Sequence, residues 1–204
     1  MADDSHLPEL EAGNDRYRYR GELWLLFASD GGPGRTPKLR ASLALNGFVG
    51  RTQVVEAAAG AVSEGSVRLY AAVAEPKNAT IVDDSYIADP KVATISSVPL
   101  WTADVVEREF GRVDFLKIDA EGAEENIISG LRPILAKHSP DLVVEFNAPR
   151  YQDAGRFLAE ISSFYAEMCF VGHSGRLEPI GPGAVLTQHV GEDWLLYFRG
   201  KKQR

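Results

Sequence analysis

A chain of 204 residues suits one domain with at most a short appendage. Hydrophobic residues at 45%, charged residues at 25%, and ordinary levels of Gly (19) and Pro (11) exclude wholesale disorder and collagen-like or low-complexity classes. The net charge of −7 argues against a general nucleic-acid binder, and no run approaches the ~18 apolar residues of a membrane span.

The single cysteine, Cys169, cannot form an internal disulfide, which points to a reducing compartment. The start, Met1-Ala2-Asp3-Asp4, is acidic and lacks the apolar core of a secretory signal. The expectation is a soluble, cytoplasmic protein. Residues 1–21 read as an irregular polar tail before a domain over 22–204. The tail ends in Tyr17-Arg18-Tyr19-Arg20, an aromatic-basic alternation that could suit a nucleic acid. An edge strand or plain tail explains it more simply.

Leu23 to Ala28 is a continuous apolar run, as in a strand buried on both faces. A Gly/Pro turn, Gly31 to Gly34, follows Ser29-Asp30. Residues 37–46 predict a helix, with Pro37 in its first turn and Asn46-Gly47 as its stop. Thr52 to Ala58 and Ser66 to Ala72 read as strands. Residues 74–97 are poorly patterned and suggest a lid or a loop over a site. Val98-Pro99-Leu100 reads as a short edge piece, and Thr102 to Phe110 as a helix capped by Thr102.

The clearest block begins at Val113. Val113 to Ile118 is a strand, Asp119-Ala120-Glu121-Gly122 a tight turn, and 123–137 a helix. Ala123, Ile127, Ile128, Leu131 and Leu135 share one face of that helix. Pro140 breaks it, and Asp141 to Phe146 forms the next strand. A helix near 152–165 and strands at Met168 to Val171 and Trp194 to Phe198 complete the pattern. A Gly/Pro-rich connection covers 172–192. The alternation predicts an α/β fold: an open, mostly parallel sheet with helices on both faces.

Ligands in such sheets gather at the carboxyl ends of strands. Three acidic endings fall there: Asp30, Asp119 with Glu121, and Glu145 with Asn147. Asp30 is either a ribose-binding acid or a turn former. Asp119 and Glu121 share one turn, where neighbouring carboxylates raise one another's pKa and suit a general base, or hold a hard divalent cation. Glu124 and Glu125 read as caps of the following helix. Cys169, His173 and His189 lack metal-ligand spacing, and a buried thiol with surface imidazoles is the simpler reading. Gly172-His173-Ser174-Gly175 is not a nucleophile elbow, because Arg176 stands where glycine is required.

The run Val113-Asp114-Phe115-Leu116-Lys117-Ile118-Asp119-Ala120-Glu121-Gly122-Ala123-Glu124 resembles the V-D-F-I-K-I-D-V-E-G-A-E signature of FkbM-type methyltransferases. Leu43 to Gly47 is similar to the family's L-A-L-N-G helix end, and Val54 to Gly60 to its V-x-N-A-A-V-G strand. Gly65 to Tyr70 and Pro140 to Glu145 resemble the family's neighbouring strands, so the likeness spans 22–200. It implies a Rossmann-like fold that uses S-adenosylmethionine, commonly to methylate a hydroxyl oxygen of a small molecule or sugar. It places Asp30 at the cofactor ribose and Ala58 near the adenine. Asp119, with Glu121 and supported by Glu145, then forms the candidate catalytic set, with Asp119 also touching the cofactor.

One part of the family pattern is missing. The D-x-G-A-N-x-G loop of the first strand, which wraps the methionine end of the cofactor, has no counterpart in residues 1–21, where only Gly13 and Gly21 occur. Glycines there let the backbone approach the cofactor. The expectation is an absent first strand, neighbours left open to pairing, and a homo-oligomer or a partner chain that completes the sheet. The alternative function is a non-catalytic remnant with a binding or scaffolding role; a metal-dependent hydrolase is a more distant reading.

Overall fold

The computed structural model describes residues 17–19, 22–28, 36–61, 65–72, 79–82, 89, 91, 93–120, 122–188 and 190–200. Its strands form two sheets. The larger contains β1 (Tyr17–Tyr19), β2 (Glu22–Ala28), β7 (Phe115–Asp119), β8 (Asp141–Phe146), β9 (Met168–Val171), β10 (Leu177–Pro179) and β11 (Trp194–Phe198). They lie in the order β1-β2-β7-β8-β11-β9-β10. The smaller sheet, ordered β3-β6-β4-β5, contains β3 (Ala58–Ala59), β4 (Ser66–Ala72), β5 (Ala79–Val82) and β6 (Ala93–Trp101).

The α/β class stands, but the sheet is mixed rather than mostly parallel. In the larger sheet, among the described residues, only β2, β7 and β8 pair in parallel; in the smaller one β3 and β6 do. β11 enters antiparallel between β8 and β9, and β1 and β10 are antiparallel edges. For the β10 edge the physical reason is connection length. β9 and β10 are joined by a short turn in which Gly172 N–H donates to Arg176 O at 2.9 Å, and short turns permit only antiparallel return.

β2 hydrogen-bonds directly to β7, from Trp24 opposite Phe115 to Ala28 opposite Asp119. The expected opening beside a missing first strand is therefore closed: the chain's own next strand occupies the place alongside the signature strand. Tyr17–Tyr19 is an edge strand on β2.

Helices cover one face. α2 (Ala103–Phe110), α3 (Glu124–His138) and α4 (Ala154–Ser162) pack on Leu116, Ile118, Leu142, Val144 and Phe146. α3 contributes Ile127, Ile128, Leu131, Ile134 and Leu135, all buried at the spacing of one helical face. Each such side chain contributes about 1.5–3 kcal/mol on leaving water. The opposite face has a second cluster, Phe115, Val143, Cys169 and Tyr197, which draws on strand residues alone among the described residues. Helices on both faces were the expectation; α2, α3 and α4 gather on one. α1 (Thr36–Leu45) buries little beyond Thr36 and Leu43.

Two segments differ from their sequence reading. Residues 52–57 are not a strand; only Ala58–Ala59 pair, with Leu100 and Trp101. The stretch read as a lid over 74–97 instead contains β5 and much of β6, both laid antiparallel on β4. Its side-chain pattern is weak because these strands belong to the smaller sheet rather than the central core. No described helix is long and apolar enough to cross a membrane.

Candidate active site

The parallel register between β7 and β8 runs from Phe115 opposite Asp141 to Ile118 opposite Val144. The next positions in that register are Asp119 and Glu145. Strand alternation puts both on the face opposite α3, because Ile118 and Val144 are committed to the helix side. Two candidate carboxylates thus stand at the carboxyl ends of adjacent parallel strands.

Each has a basic neighbour. Lys117 Nζ lies 3.0 Å from Asp119 Oδ2, two residues back on the same face. Both groups are partly exposed, so the pair orients Asp119 more than it stabilises the fold. Glu145 Oε2 accepts from Arg150 Nη1 at 2.9 Å. Burial pushes the Glu145 carboxyl above its ordinary range against the pull of that bond, and the charges of Asp119 and Asp193 push it further. The other arm of Arg150 reaches Asp193 Oδ1 at 3.0 Å. Asn147 Nδ2 donates to the same oxygen at 2.9 Å and to Gly191 O at 3.2 Å. The segment before β11 is thereby fastened to the end of β8.

The turn after β7 is held from behind. Glu124, fully buried at the start of α3, accepts Ala120 N–H at 2.8 Å and Gly122 N–H at 2.9 Å. Its Oε2 also accepts the hydroxyl of Tyr151 at 2.8 Å. Gly122 has φ +104°, a conformation that side chains resist, and a Cβ there would stand 3.7 Å from Arg150 Cβ. The Tyr151 ring packs on Phe146 and Phe157, at centroid distances of 5.2 and 4.8 Å. Burial, then the Glu124 charge, pushes its phenol far above the ordinary value.

Of the residues singled out in the sequence, Asp119 and Glu145 come together. Asp30 and Glu121 lie outside the described residues. Ala58 stands in β3 of the smaller sheet, half-buried and paired with Leu100. Glu125 is an ion-pair partner of Arg156 at 2.6 Å. Cys169 is buried and its thiol is raised by burial; His173 is exposed, and His189 is outside the described residues. No cluster of three His, Cys, Asp or Glu suited to a metal occurs among the described residues. Arg150, Tyr151 and Asp193 were not anticipated. The approach of Arg150 to Glu145, five residues away, depends on the short helical turn Ala148–Arg150, which has no hydrophobic period to betray it.

A sequence model of the methyltransferase FkbM domain matches residues 14–171. The chain belongs to the FkbM methyltransferase family. Searches of curated proteins and of solved structures return no match. The FkbM match includes β7, α3 and β8, and therefore Asp119, Glu145, Arg150 and the buried Glu124. Asp193 lies beyond it, so the clasp between Arg150 and the segment before β11 joins matched and unmatched parts of the chain.

Proposed function

We propose that this FkbM-family chain is an S-adenosylmethionine-dependent O-methyltransferase acting on a hydroxyl of a small molecule or sugar in the cytoplasm. Family membership supports methyl transfer. The observation that carries the finer reading is the juxtaposition of Asp119 and Glu145 at neighbouring strand ends.

The donor set suits the cofactor's charge. A sulfonium is a cation, and Asp119 and Glu145 offer partly exposed carboxylates at the edge where α/β sheets bind ligands. Asp119, with Asp30 and Ala58 from the family likeness, would hold the cofactor. When bound, S-adenosylmethionine supplies an electrophilic methyl carbon.

The protein's part is alignment and proton transfer. An alcohol is a poor nucleophile near pH 7, so a neighbouring base must take its proton. Glu145 has the raised carboxyl this work calls for. Arg150 fixes its orientation, and Asp119 with Glu121 completes the acidic edge.

Isothermal calorimetry with S-adenosylmethionine tests the reading. Binding below millimolar concentration, with turnover lost in Glu145→Gln, supports it. A second reading is a non-catalytic remnant with a binding or scaffolding role; no heat at millimolar cofactor would favour that one instead. A partner chain or second copy that completes the cofactor site remains part of the proposal, and would show as binding that depends on protein concentration.

A further inference from the structure

Glu124 is a fully buried carboxylate that the reaction scheme does not use. A helix cap satisfies N–H groups of the helix's own first turn. Glu124 instead reaches back to Ala120 N–H and Gly122 N–H, in the turn that follows Asp119. Its third bond comes from Tyr151, in the loop that follows β8. That loop also carries Arg150, which holds Glu145. Arg150 Cβ lies beside Gly122, so the two loops meet a second time.

A buried carboxylate is costly to leave unpaired and forms strong bonds when paired. One such group therefore ties two strand ends whose carboxylates face the same side. We propose that Glu124 and Tyr151 are positioning residues that set the spacing between Asp119 and Glu145 by locking the β7 turn to the β8 loop. The consequence for methyl transfer rests on the reading given under Proposed function; the locking itself does not. Neither residue touches the reacting atoms.

Tyr151→Phe is the sharper variant. It keeps the ring between Phe146 and Phe157 and both backbone bonds to Glu124, and removes only the link between loops. Glu124→Gln is the second; its amide turns donors toward donors in the turn.

Three measurements on the full chain decide the matter: thermal melting, calorimetry with S-adenosylmethionine, and the carboxyl titration of Glu145 by carbon-13 NMR, assigned by its loss in Glu145→Gln. Asp119, Asp193 and Arg150 are the charged groups that bear on that titration. In Tyr151→Phe the chain still folds with a melting temperature lowered by the lost bond, the cofactor dissociation constant rises several-fold, and the Glu145 titration moves from its wild-type position. The titration moves because a loosened β8 loop changes the water, the Asp119 charge and the Arg150 bond around Glu145. Glu124→Gln moves both readouts further the same way.

A folded Tyr151→Phe with wild-type affinity and an unmoved Glu145 titration overturns the proposal. Should the wild-type protein bind no S-adenosylmethionine, the cofactor reading falls, and the Glu145 titration alone decides whether Glu124 and Tyr151 set the spacing.

Discussion

His138 Nε2 meets Glu107 Oε1 at 2.8 Å, joining the last turn of α3 to α2. The ring's other nitrogen, Nδ1, accepts Val113 N–H at 3.1 Å. Since Nδ1 accepts, the neutral ring's proton sits on Nε2, the nitrogen that faces Glu107. One side chain thus fastens two helices to the start of the signature strand. His138→Ala leaves the Val113 N–H unpaired and should cost about 1–3 kcal/mol in chemical denaturation.

The same clasp makes stability depend on acid. Glu107 titrates below its ordinary 4.5, first because of the hydrogen bond from Lys137, with the Lys137 charge adding to it. A depressed carboxyl stabilises the fold fully above its unfolded value, and the benefit is lost as pH falls through the lower folded value. Glu107→Gln should therefore lower the melting temperature near neutrality. The gap to wild type should narrow below about pH 4, as melting curves across that range would show.

Glu145 runs in the opposite sense. Burial raises its carboxyl, so its favourable contribution to folding is present at low pH and declines as pH rises from 4.5 through the folded value. In the role proposed for it as the base, it must be ionised, and the acid limb of the rate profile should lie above the ordinary glutamate value. Arg150→Gln removes the bond that opposes burial and should move that limb higher still. Glu145→Gln should reduce turnover by about a hundredfold or more. Release of S-adenosylhomocysteine with a panel of sugar and polyol acceptors, measured across pH, checks all three.

Two helical glycines should respond oppositely to alanine. A Cβ on Gly130 would collide with the backbone carbonyl of Gly60, where α3 meets the end of β3. Backbone cannot step aside as a side chain does, so Gly130→Ala should destabilise by about 1–3 kcal/mol despite alanine's better helix propensity. A Cβ on Gly155 would find ordinary contacts at 3.6 Å from Asp153 Oδ1 and 3.7 Å from Leu186 Cδ1. Gly155→Ala should gain about 0.5–1 kcal/mol. Parallel melts of the two variants test the contrast.

What the sequence made legible was local. The block from Phe115 to Phe146 could be read almost residue for residue, because alternation and helical spacing are set by contiguous residues. The antiparallel insertion of β11 was not legible, since register between distant strands leaves no periodic trace. The chemistry divided the same way. Asp119 and Glu145 stood out as acids ending apolar runs. Glu124 was read as a cap; it does bind backbone N–H groups, but those of the preceding turn. Its third partner, Tyr151, lies across a strand and a helix in sequence and could be found only in three dimensions.

The pairing of β2 with β7 also bears on the order of assembly. Trp24 must find Phe115 across the intervening chain, whereas β7, α3 and β8 are consecutive. Closing so long a loop costs entropy before its contacts repay it. The consecutive unit should thus nucleate folding, with β2 docking late. Truncations in α3 would then slow refolding, while substitutions in β2 would chiefly hasten unfolding. The strand beside the signature segment would be the last to arrive and the first to leave.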